Sequence, residues 1–265
     1  MFVVASRSIA VVTMIALMLP AVSLAQTQAD DVTRLLEAAD GGDAKAQLAL
    51  GRRYATGAGV VQNDASALWW FRKAADHGIP EAEFEVGAAY KGGNGVEQDD
   101  TEAYQWFVKS AQHGFAPAQT KVGLALASGT GAEQDDAKAY QWFRRAAEQG
   151  NAEGQFWVGR GFETGAAGNI DPARAVEWWR AAAEQGFPQA QYEIVRKYWS
   201  SIAAMGRDPL EAYKWLSICA ALPSDVQTQC AEGRDRMDIY FGSDRLADAR
   251  KRAREWLNAF ERRQR

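Results

Sequence analysis

Residues 135–150 read DDAKAYQWFRRAAEQG and contain the signals of one complete helix. The carboxylate of Asp135 can accept hydrogen bonds from the amides of the first turn, and Gly150 stands where a left-handed residue would end the helix. Between them, apolar residues recur with the spacing of one helical face. They are Ala139, Trp142, Phe143, Ala146 and Ala147. We therefore predict an amphipathic helix whose buried face includes Trp142.

The same pattern recurs every 36 residues, so the chain contains an internal repeat. Two earlier copies occupy residues 63–78 and 99–114, and a later copy occupies 171–186. A fifth copy, one residue out of phase, begins at Asp208. The predicted N-caps of the other copies are Asn63, Asp99 and Asp171. We predict that the tryptophans at the equivalent position of all five copies are core residues, namely Trp70, Trp106, Trp142, Trp178 and Trp215.

A second helix is predicted before each copy, and it is joined to that copy by a glycine-rich turn. Its middle carries a glycine in four repeats, at Gly51, Gly87, Gly123 and Gly159. Glycine inside a helix costs about 1 kcal/mol relative to alanine. Its recurrence therefore predicts a close approach of the partner helix and its tryptophan. The fifth copy lacks the turn glycines at residues 199–204, so its first helix is predicted to run longer.

The segments on either side of the repeats are predicted to be capping elements. Residues 26–41 would form an N-terminal half-repeat, residues 42–221 five helix pairs, and residues 222–265 two closing helices. This division gives thirteen helices, and no stretch of useful length alternates with the period of a strand. The predicted fold is an all-α solenoid of helix-turn-helix repeats.

Residues 1–25 have the features of a secretory signal peptide. Arg7 precedes an apolar run over residues 9–19, and small residues lead to a cut after Ala25. The run is short for a membrane span, which needs about 20 residues. We expect a periplasmic or secreted protein with no stable membrane insertion after cleavage. An uncleaved anchor is the alternative.

The charge of the chain argues against a nucleic-acid partner. The formal net charge is −4, and residues 243–265 carry eight basic against four acidic residues. The remaining surface is therefore acidic and offers no electrostatic reason to bind nucleic acid. We interpret the basic segment as the solvated face of a terminal helix. Contact with an acidic partner or a membrane surface is the alternative.

The chain has two cysteines, Cys219 and Cys230. In an oxidising compartment an isolated pair predicts one disulfide, which would link the end of one helix to the next. The alternative is two buried thiols, because Cys219 occupies a repeat position that other copies fill with alanine.

The repeat resembles a known family. Ala118-Gln119, Val122-Gly123, Gly129-Thr130-Gly131 and residues 139–152 together are similar to the Sel1-like repeat, a relative of the tetratricopeptide repeat. The resemblance covers about residues 42–221 and implies a right-handed superhelix that acts as an exported adaptor or scaffold. A cysteine-rich branch of that family has been linked to penicillin binding or β-lactamase activity. This chain lacks the cysteines of that branch within its four regular repeats.

No motif of the sequence predicts a catalytic residue, a cofactor or a metal site. The chain contains neither a Gly-x-Ser-x-Gly nor a His-Glu-x-x-His sequence. Its two histidines, His77 and His113, share a repeat position that Gln149 and Gln185 fill in the next copies. A position where glutamine substitutes for histidine is interpreted as a helix end rather than a general base.

Three tryptophans depart from the repeat pattern and are predicted to bind a partner. Trp69, Trp157 and Trp199 stand at positions that are mostly polar or alanine in other copies, and tryptophan is enriched at binding hot spots. The alternative is that these rings cover neighbouring repeats. We therefore predict a non-enzymatic scaffold for a protein segment or a cell-wall or polysaccharide component. The rivals are a regulatory partner of a membrane sensor and, by family analogy only, a β-lactam- or peptidoglycan-acting enzyme.

Overall fold

The computed structural model describes residues 31–205, 209–241, 244 and 246–264, and this part of the chain forms thirteen helices without a strand. The predicted signal peptide and the cap residue Asp208 lie outside the described residues. In chain order the helices are α1 (31–40), α2 (Ala44–Thr56), α3 (Asp64–Ala75), α4 (Pro80–Gly92), α5 (Asp100–Gln112), α6 (Ala116–Ser128), α7 (Asp136–Glu148), α8 (Ala152–Thr164), α9 (Pro172–Glu184), α10 (Pro188–Met205), α11 (Pro209–Ala221), α12 (Gln227–Phe241) and α13 (Ala247–Gln264).

The helices form two compact units, which divide after Gly114. In the first unit α2 packs on α3, α3 on α4 and α4 on α5. In the second unit α7 packs on both α6 and α8, and these two first helices also contact each other. Further along the second unit, α11 contacts α10, α12 and α13.

The predicted helix signals are confirmed in the four regular repeats. The Asp135 side chain accepts a hydrogen bond of 2.9 Å from the backbone amide of Lys138, and Gly150 has a φ of 83° just beyond α7. The other side chains that cap in the predicted way are Asn63, Asp99 and Asp171. Helix α10 has 18 residues where the equivalent α8 has 13, as the missing turn glycines predicted.

The core differs from the prediction at one position of the repeat. Trp70 and Trp215 are buried as predicted, whereas Trp106, Trp142 and Trp178 are only half-buried. The residue that is buried in every copy follows the tryptophan position directly. These residues are Phe71, Phe107, Phe143, Trp179 and Leu216. The prediction for the three half-buried tryptophans was therefore wrong, although the buried face itself was identified.

The mid-helix glycines explain this register. A Cβ atom built on Gly123 would lie 2.5 Å from the ring of Phe143, and one on Gly159 would lie 2.4 Å from the indole of Trp179. Real Cβ atoms do not approach so closely, so each glycine makes room for a ring of the partner helix. The close approach was predicted correctly, but the ring that uses it is the phenylalanine, or Trp179 in the fourth repeat.

Buried polar side chains recur at one position near the start of each first helix. They are Gln47, Glu83, Gln119, Gln155 and Gln191. In two repeats of the second unit the partner is a glutamine at the end of the following helix, and Gln149 Nε2 donates to Gln119 Oε1 at 2.9 Å. In the first unit the same geometry joins His113 Nδ1 to Glu83 Oε2 at 2.8 Å. His113 is the C-cap residue of α5, so its helix-end position is as predicted.

We expect His113→Ala to lower the free energy of unfolding by about 1–3 kcal/mol, because it removes the partner of a buried carboxylate. A double variant, Glu83→Gln with His113→Gln, installs the pair that the second unit uses. Its stability should lie within about 0.5 kcal/mol of the wild type. Urea unfolding followed by circular dichroism measures both. If the double variant lost as much as His113→Ala, packing rather than hydrogen bonding would explain the pair.

Candidate partner-binding site

A groove of about 260 Å³ lies in the second unit between α7 and α8, beside the end of α6. We call it the Trp157 groove, and the lining residues that matter here are Ala127, Asp136, Tyr140, Phe143, Trp157 and Arg160. The indole of Trp157 stacks on the ring of Phe143, with centroids 5.2 Å apart and planes inclined by 14°. Phe156 meets the same indole edge-on at 5.4 Å. Trp157 is thus held in place by buried rings while it remains half-buried itself.

A second ring lines the groove because a glycine makes space for it. A Cβ atom on Gly161 would lie 2.6 Å from the ring of Tyr140, so any larger residue in α8 would displace this tyrosine. Tyr140 also meets Phe162 edge-on at 6.4 Å. Burial raises the pKa of the Tyr140 hydroxyl above its ordinary value. The tyrosine is therefore neutral at physiological pH and presents an uncharged aromatic surface to the groove.

Two charged side chains also line the groove, and their surroundings differ. Arg160 Nη1 lies 3.3 Å from Glu193 Oε1 and 3.4 Å from Glu163 Oε2, and Arg196 bridges the same two glutamates at 2.6 Å. This set of two arginines and two glutamates is neutral overall. Asp136 accepts a hydrogen bond of 3.3 Å from the neutral amide of Gln134.

The groove is a feature of the repeat, whereas the tryptophan in its lining is specific to this copy. A groove of about 240 Å³ in the first unit is lined by the residues that stand 72 positions earlier, including Ala55, Asp64 and Phe71. There, Leu68 and Glu85 hold the positions of Tyr140 and Trp157. The repeat architecture therefore creates the groove, and two substitutions give it two aromatic rings.

The three tryptophans that were predicted to bind a partner have different surroundings. Trp69 is 51% exposed in α3, where its ring meets Trp70 edge-on at 4.5 Å and Lys73 Nζ lies 5.2 Å from its centroid. Trp157 covers Phe143 of the neighbouring helix α7 and also lines the groove. The packing alternative and the exposure that partner binding needs therefore both apply to it. The side chain of Trp199 lies outside the described residues. Of the two tryptophans whose side chains are described, Trp157 lines a defined groove.

Sequence reasoning missed the other groove residues. Asp136 and Tyr140 were not among the predicted site residues, because both fit the ordinary repeat pattern. A signal existed at Gly161, because the equivalent residues in three other repeats carry side chains, namely Arg53, Ala89 and Ala125. A glycine that appears in one copy of a helix indicates a local close approach.

The cysteines and the basic segment both lie towards the end of the second unit. Cys219 of α11 and Cys230 of α12 are joined, with Cα atoms 5.8 Å apart, and both are buried. In α13 the exposed side chains of Lys251 and Arg252 pair with acidic residues of the same helix, while Trp256 stacks on Phe260 at 4.9 Å. These contacts agree with a helix whose basic face is solvated.

Among the described residues, no cluster of three or more histidine, cysteine, aspartate or glutamate side chains could hold a metal ion. Within the same residues, no helix combines the length and the apolar character needed to cross a membrane.

Comparison with known proteins connects this fold to one repeat type. The model of the Sel1 repeat matches residues 44–79, 80–115, 116–151, 152–187 and 198–223, more than half of the chain. A comparison with curated proteins found no match.

Solved structures support the same conclusion. The crystal structure of a Sel1 repeat protein from Oxalobacter formigenes is 27% identical, with a TM-score of 0.72 that covers 92% of this chain and 95% of that one. The chain is also similar to c5321, described as a protective antigen present in uropathogenic Escherichia coli strains displaying an SLR fold. That similarity has 23% identity, a TM-score of 0.60 and a coverage of 88% of this chain and 66% of the other. It shows the fold alone, and together these findings confirm the predicted helical-repeat fold.

Proposed function

Because the chain belongs to the Sel1 repeat family, whose members generally mediate protein–protein interaction, we propose that it is an exported scaffold that binds a partner protein. The proposed setting is an envelope or signalling process, and the signal peptide predicted for residues 1–25 supports export. The pair formed by Cys219 and Cys230 agrees with an oxidising compartment.

The observation that carries this proposal is the environment of Trp157. Its indole is fixed by Phe143 and Phe156 and lines a groove, so little conformational entropy would be lost when a partner covers it. Binding energy at protein interfaces is concentrated in such well-packed tryptophan, tyrosine and arginine side chains. Tyr140 and Arg160 supply the other two types in the same groove.

A crosslinking capture from the envelope fraction of the native organism tests the proposal. We expect the wild type to retain a specific protein that a Trp157→Ala variant does not retain, because this variant removes one wall of the groove. Trp106→Ala is the matched control, since Trp106 is also half-buried but belongs to α5 in the first unit. Circular dichroism first establishes that both variants are folded.

Each outcome of the capture has a distinct meaning. Loss with Trp157→Ala and retention with Trp106→Ala would support a scaffold that uses the groove. Equal capture by all three proteins would contradict the site and favour another surface, such as that of Trp69 or the predicted site at Trp199. Hydrolysis of a chromogenic cephalosporin by the purified wild type would contradict a purely binding role and favour the enzymatic alternative.

A further inference from the structure

We propose that the Trp157 groove binds a lysine side chain of the partner protein. The ammonium group would lie at the carboxylate of Asp136, and the methylene chain would lie against the rings of Tyr140 and Trp157. The inference deepens the proposed scaffold function, because it assigns a chemistry to the partner segment that this groove would recognise.

The chain itself contains an equivalent pair of a lysine and an aspartate, which serves here as the template for this interaction. One repeat earlier, Lys91 at the end of α4 places its Nζ atom 2.8 Å from Oδ1 of Asp100. The hydrogen bond from Lys91 lowers the pKa of Asp100 below its ordinary value. Asp100 holds the same repeat position as Asp136, and the repeat geometry therefore shows where an ammonium group fits beside this aspartate.

In the Trp157 groove the lysine of that template is missing. The position equivalent to Lys91 is Ala127, whose small side chain lines the groove. The aspartate keeps its other contact, because Gln134 bonds to Asp136 as Gln98 bonds to Asp100. The carboxylate is thus positioned as in the internal pair, while the space that the lysine would occupy is open.

The other charges around the groove are balanced within the chain. Arg160 lies within 3.4 Å of two glutamates, which offset its charge. Of the arginines near Tyr140, Arg144 Nε lies 2.9 Å from Glu148 Oε1 and Arg174 Nε lies 3.4 Å from Asp171 Oδ2. A cation that enters the groove therefore meets compensated arginines and the carboxylate of Asp136.

The rings and the size of the groove fit the same ligand. The methylene chain of a lysine packs on apolar aromatic surface, and its ammonium group is attracted to tryptophan and tyrosine faces within about 6 Å of the ring centroid. This chain uses that contact elsewhere, for example with Lys109 Nζ 4.0 Å from the ring centroid of Trp106. The volume of about 260 Å³ is smaller than the roughly 300 Å³ at which small-molecule pockets begin, so it suits a single side chain.

The test uses the whole protein labelled with 5-fluorotryptophan, in which the ¹⁹F signal of Trp157 is assigned with a Trp157→Phe variant. The probes are acetylated tripeptide amides with a central lysine, or with norleucine as the uncharged analogue. We expect the lysine peptide to shift the Trp157 signal and the norleucine peptide not to do so. Asp136→Asn should weaken lysine binding by about threefold to fivefold, as for an exposed ion pair.

Two variants sharpen the comparison. Ala127→Lys copies Lys91 and should fill the groove from within, so that the peptide no longer shifts the Trp157 signal of a protein that is still folded. Asp100→Asn removes the equivalent carboxylate of the internal pair and should leave peptide binding unchanged. Because Asp136→Asn alters no volume, it keeps the proposal testable even if Ala127→Lys failed to fold.

Three results would overturn the proposed lysine site, and a fourth would support it. Equal shifts with lysine and norleucine peptides would show that the groove does not recognise charge. A shift with tri-N-acetylglucosamine and none with the lysine peptide would assign the groove to a carbohydrate. A partner captured through Trp157 without any lysine-specific shift would preserve the scaffold function and contradict only the lysine. A lysine-specific shift without a captured partner would support the groove chemistry and contradict the envelope scaffold.

Discussion

Truncation of Phe143 to alanine is expected to lower the free energy of unfolding by about 3–5 kcal/mol, the usual cost of removing a buried phenylalanine ring. Phe143 is only 4% exposed and fills the space that Gly123 leaves in the facing helix. Neither Gly123 nor the alanine that replaces Phe143 can fill the cavity that the variant would create. The ring of Trp157 would also lose the surface on which it stacks. Chemical unfolding monitored by circular dichroism gives the change in free energy.

Trp142→Ala is the matched control for this prediction, because Trp142 is the neighbouring residue on the same helix. Its indole is half-buried, and the guanidinium of Arg145 lies 4.6 Å from its ring centroid. Part of its surface is therefore in contact with water already, and its truncation should cost less than half as much. If Trp142→Ala were the more damaging variant, the burial assigned to the two aromatic positions would be wrong.

Much of this fold was predictable because its signals are local. A cap such as Asp135 acts on amides two or three residues away, and a terminating glycine such as Gly150 acts on its own backbone. A period of 36 residues then repeats each signal, which separates it from chance. The choice between Trp142 and Phe143 is different in kind. Both lie on the apolar face, and the position of Gly123 on another helix decides which ring is buried.

The candidate site was predictable only in part for the same reason. Trp157 stood out because the equivalent residues in the other copies are alanine or charged. Tyr140 and Asp136 fit the ordinary repeat pattern, so nothing in their local sequence marked them. Their role follows from the packing of α7 against α8 and from the small residue at Ala127. An interaction that depends on a missing side chain is visible only when the surrounding space is known.

Removal of the link between Cys219 and Cys230 is the second change with a large expected effect. We expect a Cys219→Ala, Cys230→Ala double variant to lose about 3 kcal/mol of unfolding free energy, because a cross-link across a short loop restricts the unfolded chain. The two residues are 11 positions apart. Alanine is the appropriate replacement because both sites are buried and apolar, so a serine hydroxyl would add a separate cost.

The loss of stability should extend beyond the two cysteines because of where the cross-link lies. Helix α11 contacts α10, α12 and α13, so the cross-link fixes α12 to the helix on which this end of the second unit is built. Reduction of the wild type, verified by mass spectrometry, should lower its melting temperature to that of the double variant, which itself should not respond to reductant. A reduced wild type that melted at the oxidised temperature would show that packing alone holds α12. Because Met237 of α12 is fully buried, the alternative has a physical basis, and the comparison with reductant separates the two contributions.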